Sequence, residues 1–139
     1  MEQIEWREEL EVGHPMIDAD HQRLVMMMNA LLEAVLEDRG EDVLGEILDG
    51  LVVYARTHFA REEKEMRLHH YPDMTAHIRE HARFIHEISG FQIRFRAGDT
   101  ALSLGLIRFL RVWLIDHILT VDRKLADYLQ DGTGERAVP

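Results

Sequence analysis

Apolar residues return along this chain every three or four positions, in four long stretches divided by short polar breaks, and strand-like alternation is nowhere sustained. The first stretch starts near Asp18, placed to act as an N-cap, and carries Leu24, Val25, Met28, Leu31, Leu32 and Val35 on one stripe before a stop at Gly40. The second starts near Asp42 and sets Leu44, Ile47, Leu51, Tyr54, His58 and Glu62 on its inner face. Pro72 disfavours helical conformation at Tyr71, so Asp73 is expected to cap a third helix. Its stripe is Met74, His77, His81, Phe84, Ile88, Phe91 and Phe95, and Gly98-Asp99 ends it. The fourth runs from about Thr100 to Gln130, with Leu106, Leu110, Trp113, His117, Val121, Leu125 and Tyr128 inward. Short breaks make consecutive helices antiparallel, so the pattern predicts an all-α, up-down-up-down four-helix bundle. Residues 1–17 contain Gly13, Pro15 and irregular apolar spacing, and read as an extended arm packing on the bundle through Ile4, Trp6 and Leu10. Residues 18–130 form the bundle, one domain with the arm, and 131–139 a flexible tail.

A length of 139 residues suits one domain and one core. A formal charge of -10 predicts an acidic, solvated surface and argues against nucleic acid or anionic membranes as partners, because both select for clustered Lys and Arg. No apolar run approaches a membrane span, so no membrane insertion is expected. The first residues lack the basic and apolar regions of a signal peptide, which makes a cytoplasmic location the expectation. The absence of cysteine removes disulfides, thiolate zinc sites, iron–sulfur clusters and thiol nucleophiles, so any metal falls to His, Asp and Glu. There are nine histidines.

Five of these histidines fall on the inward stripes, at levels that agree. Helical residues four apart differ by only ~40° in direction and ~6 Å along the axis, so His58 with Glu62, and His77 with His81, each aim two ligands at one point. His21 joins them from the first helix and His117 from the fourth. A lone inward histidine is usually a core residue satisfied by one hydrogen bond. Several at one depth, with a carboxylate and no cation, would leave groups unpaired at roughly 1–3 kcal/mol each. Imidazole suits zinc, copper, iron and nickel alike, but so many donors exceed what one ion needs and suit a pair. Asp122 lies five residues after His117, which in a regular helix turns it ~140° away; a single-turn π-bulge would bring it back. Glu63 has the same angular problem without such help and is expected to face solvent, as are His14, His69, His70 and His86.

The segments Val12-Gly13, Ile17-Asp18-Ala19-Asp20-His21, His58-Phe59-Ala60-Arg61-Glu62-Glu63, His77-Ile78-Arg79-Glu80-His81 and Trp113-Leu114-Ile115-Asp116-His117 with Asp122 resemble, in order and spacing, those of the hemerythrin family, specifically its stand-alone bacterial members. The resemblance implies two iron ions with an oxo or hydroxo bridge. One would be held by His77, His81 and His117, the other by His21 and His58, with Glu62 and Asp122 bridging both. It also implies reversible binding of dioxygen, for carriage, storage or delivery, at an open position beside His21 and His58. Leu24, Phe59, Trp113 and Leu114 flank the ligands as the apolar oxygen pocket. The competing readings on the same bundle are a di-iron oxidase or peroxidase, and a protein that senses oxygen or handles nitric oxide. Carboxylate-rich oxidase sites use paired Glu-x-x-His motifs, and no such pair points inward here, which favours binding without catalysis.

Overall fold

The structure is a computed structural model and describes residues 3–99 and 103–131. Helix α1 spans Pro15–Leu36, α2 Glu41–Leu68, α3 Met74–Arg96, α4 Ser103–His117 and α5 Arg123–Asp131; α4 and α5 form one rod joined by a π-helical turn, Ile118–Asp122. Four rods result, with no strand among the described residues. Cross-contacts set their directions. On α1 and α2, Asp20 meets His58; on α2 and α3, Asp49 meets Arg96 while Glu62 meets His77; on α3 and α4, Phe91 meets Phe109 while His81 meets His117. Each pair runs from early residue to late residue, so neighbours are antiparallel and the bundle closes in up-down-up-down order, as the pattern predicts.

The helix stops share one chemistry. After α1, α2 and α3 the residues Asp38 (φ 50), His70 (φ 53) and Gly98 (φ 101) adopt left-handed conformation. The next amide then reaches back to the third-last helical carbonyl: Arg39 N to Ala34 O at 3.1 Å, Tyr71 N to Met66 O at 2.9 Å and Asp99 N to Arg94 O at 3.1 Å. These six-to-one bonds satisfy carbonyls that the helix leaves open. The first stop therefore falls at Leu36 and not at Gly40, which instead (φ 96) precedes α2 as its N-cap.

The other helix start also differs from expectation. α1 begins at Pro15 with His14 as its cap, the Nδ1 accepting from Ile17 N at 3.3 Å, because proline at the first helical position has no amide to lose and its φ already fits. Asp18 lies inside the helix and accepts from Val12 N at 2.8 Å and Gly13 N at 3.1 Å, fastening the arm. The arm is further pinned where Asn29 accepts from Ile4 N and donates to Ile4 O, both at 2.8 Å, and it includes a short 3-10 turn, Glu8–Leu10. Asp73 precedes α3 without a side-chain cap bond and pairs with Lys124 at 2.6 Å. The expected start at Thr100 and the tail from Gly132 lie outside the described residues; the last rod runs one residue past Gln130. The π turn shifts the inward stripe, burying Ile118, Asp122, Leu125, Ala126 and Leu129 and leaving Val121 and Tyr128 half-buried. No helix among the described residues is long and apolar enough to cross a membrane.

At the stop after α2, a β-carbon in left-handed conformation costs on the order of 1–2 kcal/mol, partly offset by glycine's greater freedom when unfolded. His70→Gly is therefore expected to stabilise the protein by about 0.5–1 kcal/mol in urea denaturation. A neutral or destabilising result would show that the His70 side chain contributes something beyond its backbone.

Candidate metal centre

Each helical rod brings at least one imidazole to the same depth. His21 sits in the second turn of α1, His58 and Glu62 lie one turn apart near the end of α2, and His77 and His81 lie one turn apart at the start of α3. His117 closes α4, and the π turn carries Asp122 round to the same side, with Asp122 Oδ1 3.0 Å from His117 Nε2. Within that wider turn Thr120 Oγ1 donates to the Asp116 carbonyl at 2.7 Å, an added bond where the backbone ladder changes step. All seven residues predicted as ligands are buried, none more than 3% exposed. They assemble as two overlapping groups: Glu62, His77, His81, His117 and Asp122; and His21, His58, Glu62 and Asp122. Within each group one ligand atom per residue lies within 4.8 Å of every other.

The chemistry of these atoms fits cations. All five imidazoles turn Nε2 towards the carboxylates: His58 to Glu62 at 2.8 Å, His81 to Glu62 at 2.9 Å, His21 to Asp122 at 2.9 Å, with His77 between Glu62 at 3.2 Å and Asp122 at 3.1 Å. Yet the Nε2 atoms of His21, His58, His81 and His117, Oε2 of Glu62 and both oxygens of Asp122 are buried without a well-aligned hydrogen bond. Lone pairs converge on two points with nothing between them but one another. Such a donor set is costly alone and satisfied by a pair of cations sharing the two carboxylates.

The outer nitrogens support the same assignment. His58 Nδ1 donates to Asp20 Oδ2 at 2.9 Å, and Asp20 Oδ1 in turn accepts from Tyr54 at 2.8 Å and from Arg61 at 2.6 Å. His81 Nδ1 donates to Glu63 Oε2 at 3.0 Å. A proton held on Nδ1 by a carboxylate leaves Nε2 free as a lone-pair donor and fixes the ring. Glu63 is thus not a solvent residue: it sits across the α2–α3 seam from His81, and the neighbouring helix supplies the partner that its own helix's geometry denies it. Asp20, buried at 3%, was missed outright; the available signal was its position four residues before Leu24, on the same inward stripe. His70 and His86 are exposed, while His14 caps α1 and His69 lies 3.4 Å from Glu65.

The four pocket residues divide. Phe59 stacks on His81 at 3.9 Å and Trp113 on His117 at 4.2 Å, so both rings cover the three-histidine group. Leu24 and Leu114 are buried a helical turn from His21 and His117 respectively, without a ring contact of that kind.

The fold and this cluster define a four-helix bundle with a buried histidine and carboxylate cation site. The family model described as the hemerythrin HHE cation binding domain matches residues 12–129. Similar curated proteins include a bacteriohemerythrin of Stenotrophomonas maltophilia, 36% identical with 90% of this chain and 80% of that one covered. Another is a bacteriohemerythrin of Pseudomonas paraeruginosa, 32% identical over 97% of this chain and 87% of the relative. Among solved structures, a wild-type hemerythrin superposes with a TM-score of 0.85 at 29% identity, covering 91% of this chain and 97% of that one. The chain belongs to the hemerythrin family.

Without metal, protons take over part of the cations' role. Burial opposes charge on His58, but Glu62, Asp20 and Asp122 outweigh it and lift its pKa to about 10. Burial opposes charge on His77 as well, and Asp122 and Glu62 lift it to about 9. Both values exceed the ~6.5 of an unfolded histidine, so this stabilisation is complete below ~6.5 and is lost as pH rises through the folded values. Burial raises Glu62 and Asp122, and for Asp122 the neighbouring Glu62 does too, yet the histidines hold both below the usual range; their stabilisation is lost as pH falls. Metal-free protein is therefore expected to melt highest at about pH 5–6.5 and progressively lower towards pH 10. Loading ferrous ions at neutral pH should release protons from both His58 and His77, measurable by calorimetry in buffers of different ionisation enthalpy. A flat melting profile from neutral to alkaline pH, or loading without proton release, would contradict this electrostatic picture.

Proposed function

We propose that the chain binds dioxygen reversibly at a non-haem di-iron centre, for carriage, storage or delivery. The observation that carries this reading is the inequality of the two donor groups. Five residues, Glu62, His77, His81, His117 and Asp122, would enclose one iron, while His21 and His58 with the shared Glu62 and Asp122 would leave the other a free position. An iron pair with an oxo or hydroxo bridge, when bound, supplies the coordination and redox chemistry that dioxygen needs. The chain's own residues do the rest. The carboxylates of Glu62 and Asp122 fix the spacing of the two positions from two different helical rods. Asp20 and Glu63 hold His58 and His81 in the tautomer that presents Nε2. Leu24 and Leu114, at 4% exposure each, exclude water and proton donors from the region of His21 and His58, so that bound oxygen can leave as oxygen. The names of the similar proteins support the same reading.

The test is optical. Anaerobically reduced protein holding two irons per chain is expected to develop an absorption band on exposure to air and to lose it when oxygen is removed. Continuous consumption of oxygen with a reductant, and no reversible band, would favour an oxidase or peroxidase and sink the carrier reading. The apolar pair gives a finer check. Leu114→Ala should cost about 2–5 kcal/mol of stability by leaving a cavity. Both Leu114→Ala and Leu24→Gln should keep two irons yet speed irreversible oxidation on the order of tenfold, ~1.4 kcal/mol off the barrier. Unchanged oxidation rates in both variants would show that these leucines are ordinary core.

A further inference from the structure

At the seam between α2 and α3 a cluster side chain lines a surface groove. His81 presents Nε2 to Glu62 and Nδ1 to Glu63, and Glu63 is 25% exposed, so one imidazole separates the cluster from the surface. Outside it lies a groove of about 470 Å³. Ala60, Ile78, Ala82 and Ile85 line its apolar part, and Phe59, stacked on His81, lines it too. Arg56 and His86 line its edges, and Glu63 is the one carboxylate in its lining.

Helical spacing extends that rim. Lys64 and Arg67 follow Ala60 and Glu63 by one turn on α2, while Arg79 lies one turn before Ala82 on α3 and Arg83 one turn after Arg79. All are exposed. Other cations are neutralised: Arg7, Arg39, Arg61, Arg96 and Lys124 each have a carboxylate within 4.0 Å. Further along the same seam, Asp49 is itself matched by Arg96 at 2.8 Å. Among the described residues Arg56, Lys64, Arg67, Arg79 and Arg83 form no ion pair at that distance. In a chain with 16 basic and 26 acidic side chains, a group of exposed cations without a carboxylate partner thus borders the groove that overlies His81.

We propose that this α2–α3 face is the docking surface for an acidic protein that donates single electrons, and that those electrons enter the centre through His81. The proposal rests on the di-iron reading. Ferric ions formed by irreversible oxidation cannot hold dioxygen, so a carrier needs a reductant. Each encounter oxidises the donor by one electron, and two encounters return two ferric ions to the ferrous state. An apolar floor with a charged rim is the anatomy of a transient protein interface, and opposite charge speeds encounter without demanding tight binding. The same cations could attract a nucleic acid, but a flexible polyanion would meet the net charge of -10 on the flanks, whereas a compact acidic patch need touch only this face.

The experiment uses the iron-loaded ferric protein and a flavodoxin as probe, an acidic flavin protein that gives up one electron at a time. Binding is titrated with both partners oxidised, so that no electron moves. Re-reduction is then followed by stopped flow with the flavodoxin hydroquinone. Lys64→Glu is compared with Arg108→Glu, which makes the same change in net charge at an exposed position on α4. Lys64→Glu is expected to weaken binding and slow re-reduction about tenfold, with steep salt dependence in the parent, while Arg108→Glu stays near parental values. Equal losses in both variants, electron transfer undisturbed when binding is lost, or binding of a single-stranded oligonucleotide in preference to flavodoxin would each overturn the proposal. Reversible oxygen binding should survive in both variants, and the binding arm does not depend on it, so failure here is distinguishable from failure of the oxygen-carrier reading.

Discussion

Seven ligand-type side chains, five imidazoles and two carboxylates, are sealed inside a core that is, apart from Asp20, otherwise apolar among the described residues. That constraint governs the rest of the structure. Each polar atom left unpaired there costs about 1–3 kcal/mol, so the cluster is a large local liability unless positive charge occupies it. The bundle is arranged around this requirement: four rods in antiparallel order bring the early turns of α1 and α3 beside the late turns of α2 and α4. One level of the bundle receives all seven side chains, and the opposite end of the same rods is conventional apolar packing such as Leu31, Leu48 and Leu106.

The one departure from α-helical geometry within a rod falls at the same level among the described residues. The π turn Ile118–Asp122 interrupts a rod that would otherwise present Val121 inward, and it converts a five-residue spacing into two cluster side chains on one face. The outer contacts are equally purposeful but unequal. Asp20 is buried and held by Tyr54 and Arg61, so His58 is braced against a fixed carboxylate, whereas Glu63 braces His81 from the edge of a groove. The two halves of the cluster thus differ in the number of donor residues and in what braces them: His58 rests on the buried Asp20, and His81 on the partly exposed Glu63. The proposals place binding of dioxygen and entry of electrons at opposite halves for that reason.

Much of this was legible in the residues. Periodicity alone located four helices and placed His58 with Glu62 and His77 with His81, because a four-residue step on a helix is nearly a full turn. The boundaries were less legible. Asp18 has the composition of an N-cap but lies inside α1, since Pro15 and His14 start the helix earlier, and Asp38, not Gly40, turns the chain out of it. Asp122 could not be placed by a regular wheel; family resemblance supplied what the backbone then accounts for. Glu63 and Asp20 were misjudged or missed because a helical wheel reports only a residue's own helix. Their importance comes from His81 and His58 on neighbouring rods, which no one-dimensional pattern displays.

The central claim is that this cluster holds two metal ions at unequal positions. The most direct measurement is a crystal structure of the iron-loaded protein with anomalous scattering recorded at the iron edge. The account predicts two peaks bridged by Glu62 and Asp122, one bound by His77, His81 and His117 and the other by His21 and His58 with a position left for a guest. A single peak, or two ions with equal sets of protein ligands, would contradict it.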